Sequence, residues 1–146
     1  MKMAVIGFVV ALVIVIAGGA AYAQMEKATF CGGCHAMSDN YATWSDSMHS
    51  SVECSECHLP QNNLATKLVA KASTGIVDVW HETLRDYGTH IEITEKGKEY
   101  LRDNCVRCHE ATIKNTSMTG VGKDGDDREC VSCHRNLVHG NMTISQ

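Results

Sequence analysis

What this chain has little of narrows its class before any motif is read. It has one proline, Pro60, and aromatics make up only 5% of 146 residues, so neither a proline-rich extended fold nor an aromatic-rich side-chain core is available. It has no excess of positive charge: 13 Lys and Arg stand against 17 Asp and Glu, and the net charge of -4 argues against a nucleic-acid partner. No stretch reads as a strand. Nor is any cysteine left over. All eight fall in four copies of one pattern, CGGCH (31–35), CSECH (54–58), CVRCH (105–109) and CVSCH (130–134).

Disulfides do not require a histidine after each cysteine pair, and zinc sites built from two such pairs do not require it either. Covalent attachment of c-type haem does. On a helical turn, residues i and i+3 share a face and present two thiols to the two vinyl groups, while residue i+4 sits under the ring within reach of iron. Cys31 and Cys34, Cys54 and Cys57, Cys105 and Cys108, and Cys130 and Cys133 are therefore the expected attachment points of four haem c groups, with His35, His58, His109 and His134 as motif histidines.

Residues 3–23 run without a charge for 21 residues, after Lys2 and before Glu26 and Lys27. As a helix this stretch is about 30 Å long, enough to span the hydrocarbon core. Ala21-Tyr22-Ala23 has the small-x-small form of a signal-peptide cleavage site, but a secretory apolar region is usually about 7–15 residues, shorter than this one. We read residues 1–24 as an uncleaved anchor. Lys2 favours an N-terminus inside, which puts residues 25–146 on the periplasmic side of the cytoplasmic membrane.

The exported part offers only about 31 residues per haem, too few for a large side-chain core. The expected fold is mainly α: one transmembrane helix and a small haem-cored tetrahaem domain of short helices and long loops. Helices are expected over 39–49, 63–80 and 94–105, the last with Thr94 as N-cap. Residues 117–127, rich in Gly and Asp, read as a solvated loop, since EF-hand spacing is missing. Motif starts at 31, 54, 105 and 130 make two pairs, 31–58 for haems 1 and 2 and 105–146 for haems 3 and 4. The insertion 59–104 lies between them and attaches no haem.

Four irons have eight axial positions, and there are eight histidines, with His49, His81, His90 and His139 outside the motifs. Complete bis-histidine ligation, the scheme of a soluble tetrahaem shuttle with a cleaved leader, fits that count. It leaves Met37, two residues after His35, either as a packing residue against a haem edge or as an iron ligand in its own right.

The anchor, then CxxCHxM ending in Met37, His49 before the second motif, CHLP at 57–60, the insertion, and CHRNLVHG around His139 together resemble the NapC/NirT family of membrane-bound quinol dehydrogenases. The resemblance spans essentially the whole chain. It implies that Met37 binds the iron of haem 1 in place of His35, that His58 holds haem 2, that His109 and His139 hold haem 3, and that His134 and His49 hold haem 4. It also implies a quinol site in KASTGIVDVW (71–80), with Lys71 and Asp78 lining it and menaquinol as donor. A shift of register would move the acidic role to Glu82 or Asp86. A carboxylate beside the quinol hydroxyl is a sensible proton acceptor. The alternative for Lys67 and Lys71 is snorkelling toward lipid headgroups, with Trp80 as an interface anchor. The implied partner is a periplasmic cytochrome c nitrite reductase catalytic subunit making ammonium, or another periplasmic reductase such as one for nitrate. Nitrite reduction by this chain alone is not expected. The second ligand of haem 2 stays open among His81, His90 and a partner residue.

Overall fold

The computed structural model describes residues 2–88, 91–115, 130–134 and 136–140, all helix, turn or irregular backbone with no strand among them. Helix α1, Lys2–Met25, is 24 residues long, uncharged after Lys2, with no buried residue. By length and composition it can cross a membrane. Four-residue α2, Ala28–Cys31, a 3-10 helix at His35–Met37, and α3, Ser38–Ser45, follow in quick succession. Next come α4 (Cys54–His58), α5 (Leu64–Leu84), α6 (Glu95–Lys114) and α7 (Cys130–Cys133).

Local chemistry explains the two long exported helices. Asn63 caps α5, its side-chain oxygen accepting from the Thr66 N–H at 2.8 Å. The helix runs past the expected end at Trp80 to Leu84 and closes on Arg85 in the left-handed region, at φ 52 and ψ 37. Thr94 caps α6 as expected, accepting from Gly97 N–H at 3.1 Å, with Glu95 in the first turn and Lys114 in the last. Helix α6 does not stop at Cys105 but continues through the third motif, breaking its helical geometry only at His109. Helix α3 ends four residues before the expected His49. His90 and the loop over 117–127 lie outside the described residues.

Side chains alone make a slight core. Among the described residues the buried ones, Ala28, Ser55, Leu59, Pro60, Ala70 and Asn104, are small or medium, and no large side chain is fully buried. Helix α4 is the hub. Asn104 of α6 donates to the carbonyls of Cys57 (3.0 Å) and Leu59 (2.8 Å), and Arg107 reaches Glu56 at 2.9 Å. From the other side, Glu53 accepts the backbone N–H of Ala28, and Ser55 donates to Glu26 at 3.0 Å.

The end of the membrane helix is tied to α5 by charge. Glu26 lies between Lys67 at 2.7 Å and Lys71 at 2.5 Å, and the three side chains are only 12–20% exposed. Burial pushes the Glu26 carboxyl up, but hydrogen bonds from Lys67, Lys71 and Ser55 outweigh that and hold it at about 2. Lys71 also donates to the Met25 carbonyl at 2.7 Å, satisfying an orphan acceptor at the C-terminus of α1.

Candidate functional site

The four motifs do not share one backbone. The second, third and fourth lie on helices, α4, α6 and α7. In the fourth, the His134 N–H donates to the Cys130 carbonyl at 3.0 Å, which is the i to i−4 bond that sets residue i+4 under residues i and i+3. In the first motif the helix stops at Cys31, Cys34 is extended at φ -82 and ψ 138, and His35–Met37 form a separate 3-10 turn. Gly32 permits the break, since a Cβ there would stand 2.4 Å from the Tyr41 ring. His35 is exposed while Met37 is partly buried, with the Asn40 amide 3.9 Å from its sulfur.

The Cys31 thiol lies beside that of Cys54, and the Cys105 thiol beside that of Cys130, so motifs one and two meet, as do three and four. All eight cysteines are free of disulfides. Among the described residues no three of His, Cys, Asp and Glu converge as a zinc site requires.

Histidines pair instead. The rings of His49 and His109 have centroids 6.1 Å apart, and so do those of His58 and His139. Two imidazoles on opposite sides of one metal, at roughly 2 Å per metal–nitrogen bond, hold their centroids about 6 Å apart, so both pairs fit a bis-histidine iron. The Nδ1 of His49 is buried with no hydrogen-bond partner. His139 Nδ1 lies 3.2 Å from the Asn40 carbonyl, an arrangement that leaves Nε2 available as a ligand. Partial burial also holds His139 below the usual imidazole range, favouring the neutral form a metal needs. A cavity of about 190 Å³ between α5 and α6 borders His58.

The rings brought together are His139 with His58 and His49 with His109, whereas the resemblance implies His139 with His109 and His49 with His134. The cause is tertiary: Trp44 Nε1 donates to the His49 and Val52 carbonyls at 3.1 and 3.0 Å, curling the chain after α3, while Asn40 draws the C-terminal turn back to α3. His81, in contrast, is exposed and bonded to Asp86 at 2.6 Å.

One stripe of α5 carries the expected quinol residues. Lys67, Lys71, Asp78 and Glu82 fall at spacings of four, seven and four, which is one helix face. Lys71 is committed to Glu26, and Asp78 lies about 10 Å further along the axis. Asp78 is exposed, yet surrounding protein desolvates its carboxyl and holds it above the usual range, with His81 pulling the other way. On α5 it stands one turn before Glu82, the residue that touches the first motif. Glu82 ends the stripe, accepting the N–H of His35 at 3.1 Å and of Ala36 at 3.2 Å. Sequence reasoning had Glu82 only as a register alternative to Asp78. The signal for a separate role was its position four residues on, along the same stripe.

The NapC/NirT cytochrome c family, N-terminal region, matches residues 1–144. The chain belongs to the NapC/NirT cytochrome c family. Membership brings covalently bound haem c, which the four CxxCH segments and the histidine pairs fit. Among relatives, the cytochrome c-type protein NrfH of Wolinella succinogenes is 33% identical over 121 residues, 77% of this chain and 68% of that protein. Cytochrome c nitrite reductase subunit NrfH of Nitratidesulfovibrio vulgaris is 37% identical over 117 residues, 80% of this chain and 70% of that one. A chain in the crystal structure of the cytochrome c nitrite reductase NrfHA complex bound to the HQNO inhibitor superposes with TM-score 0.79 at 30% identity, covering 96% of this chain and 92% of that one. The described residues of this NapC/NirT chain are thus mainly helical, and α1 is long and apolar enough to cross a membrane.

Proposed function

We propose that this chain is the quinol-oxidising, electron-transfer subunit of a periplasmic nitrite reductase, held in the cytoplasmic membrane by α1 with residues 25–146 outside. The observation that carries the reading is a juxtaposition: the turn bearing Met37, the desolvated carboxylate of Asp78 and the exit of α1 from the membrane are joined by one stripe of α5. The NrfH relatives and the NrfHA structure support nitrite reductase as the partner over a nitrate enzyme.

The eight cysteines would hold four haem c groups, with Met37 in place of His35 at the first iron, His58 and His139 at the second, His109 and His49 at the third and His134 at the fourth. Bound haem supplies one-electron carriers, and a thioether raises the potential of the first relative to histidine. The polypeptide does the rest. Menaquinol enters from the bilayer where Lys71 and Tyr22 stand, the ammonium 5.4 Å from the ring centroid. As quinol becomes quinone, Asp78 takes one of the two protons and water the other, the two electrons leaving one at a time to bound haem, and the raised pKa of Asp78 makes it a better match to a weakly acidic hydroxyl. The end of α1 and the adjoining α5 form the quinol side.

The test is reconstitution. The intact mass of protein from the membrane fraction should equal the full chain plus four haems, and menaquinol should reduce nitrite only when this chain and the catalytic subunit are both present. A Met37→His chain with an unchanged spectrum and unchanged quinol oxidation would overturn methionine ligation at the point of entry.

A further inference from the structure

The first motif departs from the other three at one hydrogen bond. In the fourth motif the histidine N–H is satisfied by the carbonyl of the first cysteine, His134 to Cys130 at 3.0 Å, and that bond places the imidazole below the two thiols. In the first motif the equivalent N–H, that of His35, goes to Glu82 Oε1 at 3.1 Å, and the next one, Ala36, goes to Oε2 of the same carboxylate at 3.2 Å. A carboxylate accepting two consecutive backbone N–H groups makes charge-assisted bonds, roughly twice as strong as neutral ones. It therefore competes well with the helical carbonyl. With the helical bond forgone, Cys34 is free to be extended, His35 stays exposed, and the 3-10 turn brings Met37 inward against Asn40.

We propose that Glu82 is a positioning residue that selects the iron ligand of the first motif: by taking the His35 and Ala36 N–H groups out of the helix, it turns His35 away and presents Met37. This inference rests on the reading of Met37 as a ligand and adds what enforces it. The same contact fixes the ligand turn to α5, the helix that carries Asp78 one turn earlier. The ligand turn and the proton acceptor therefore keep one geometry relative to each other.

The experiment is Glu82→Ala in the full-length, haem-loaded chain, with haem content checked by intact mass and ligands read by near-infrared magnetic circular dichroism and electron paramagnetic resonance. Wild type should show one methionine-type iron. In Glu82→Ala that signal should be lost, a histidine-type signal should replace it, and the potential of that haem should fall. Adding His35→Ala should abolish the new signal, which a merely structural role for Glu82 would not produce. A Glu82→Ala protein that carries all four haems and keeps the methionine signal and potential overturns the role of Glu82 while leaving Met37 ligation intact. If Glu82→Ala does not take up four haems, Glu82→Gln decides. It keeps the volume and one acceptor oxygen, and should give a mixture of the two signals; a spectrum identical to wild type overturns the proposal. A wild-type protein with no methionine signal overturns the Met37 reading itself.

Discussion

CGGCH at 31–35 and CSECH at 54–58 differ by two residues between the cysteines, yet they fold differently. The second is one helical turn, α4, with its histidine at the end. The first is split into a helix end, an extended Cys34 and a 3-10 turn. The two glycines allow the split, and Glu82, 47 residues away from His35, holds it open. The difference teaches that a CxxCH pattern fixes where thiols attach, while the iron ligand is set by whichever group satisfies the histidine's backbone N–H. The first motif gives that N–H to a side chain from α5, the helix that carries Asp78 one turn before Glu82. Motifs two to four keep it in the helix.

The largest effect should come from removing what only the first motif has beside it. Asp78→Asn should lower quinol oxidation by roughly 10²–10⁴-fold, the usual worth of a positioned general base, with all four haem spectra unchanged. A loss under threefold would break the link between that motif and proton transfer. The pH profile sharpens the same point. Because the Asp78 carboxyl is held above its ordinary 3.8, the acid limb of the wild-type rate should lie above that value, and it should vanish in Asp78→Asn.

Next in size are the ligand pairs of the helical motifs. His49→Ala and His139→Ala should each convert one low-spin haem to high spin. If His49 and His109 share an iron, as their 6.1 Å ring separation suggests, His49→Ala combined with His109→Ala should still affect a single haem when loading is verified by mass. Two affected haems would restore the pairing of His49 with His134.

How much of this was legible in the sequence follows from the range of each signal. The cysteines, the membrane helix and the caps Asn63 and Thr94 are written within a few residues of where they act, so they read directly. Asp78 and Lys71 were findable through a resemblance, but the commitment of Lys71 to Glu26 depends on a fold-back across 45 residues. The histidine partners could not be read at all from spacing. Eight histidines for eight positions fit several assignments, and the contacts that bring His49 to His109 and His139 to His58, the Trp44 indole on the His49 and Val52 carbonyls and the Asn40 carbonyl on His139, leave no periodic trace. Helix periodicity was weak for a related reason: faces that meet a porphyrin need not be apolar in the ordinary pattern, and the buried side chains here are few and small.

Smaller effects test how α5 is held against the first motif. Glu26→Gln removes one partner of two partly buried lysines and should cost roughly 1–3 kcal/mol of stability, read from a denaturant midpoint. The pH sign follows from the carboxyl held at about 2 against an ordinary 4.5: its contribution is complete above 4.5 and is lost as pH falls toward 2, so wild type and Glu26→Gln should converge in stability over that window.

The smallest effect separates the length of α5 from its contact with the first motif. Arg85 ends the helix three residues after Glu82 at φ 52, a left-handed conformation that costs a side-chain-bearing residue roughly 1–2 kcal/mol relative to glycine. Arg85→Gly should therefore raise stability by about 1 kcal/mol, somewhat less than the full steric cost because glycine also loosens the unfolded chain. Since the Glu82 carboxylate and the two N–H groups it accepts are untouched, the spectrum and potential of the first haem should stay as in wild type. A changed spectrum would mean that the ligand turn responds to the register of the whole helix end and not to the carboxylate alone, and the distinction between the first motif and the others would then belong to α5 rather than to one residue on it.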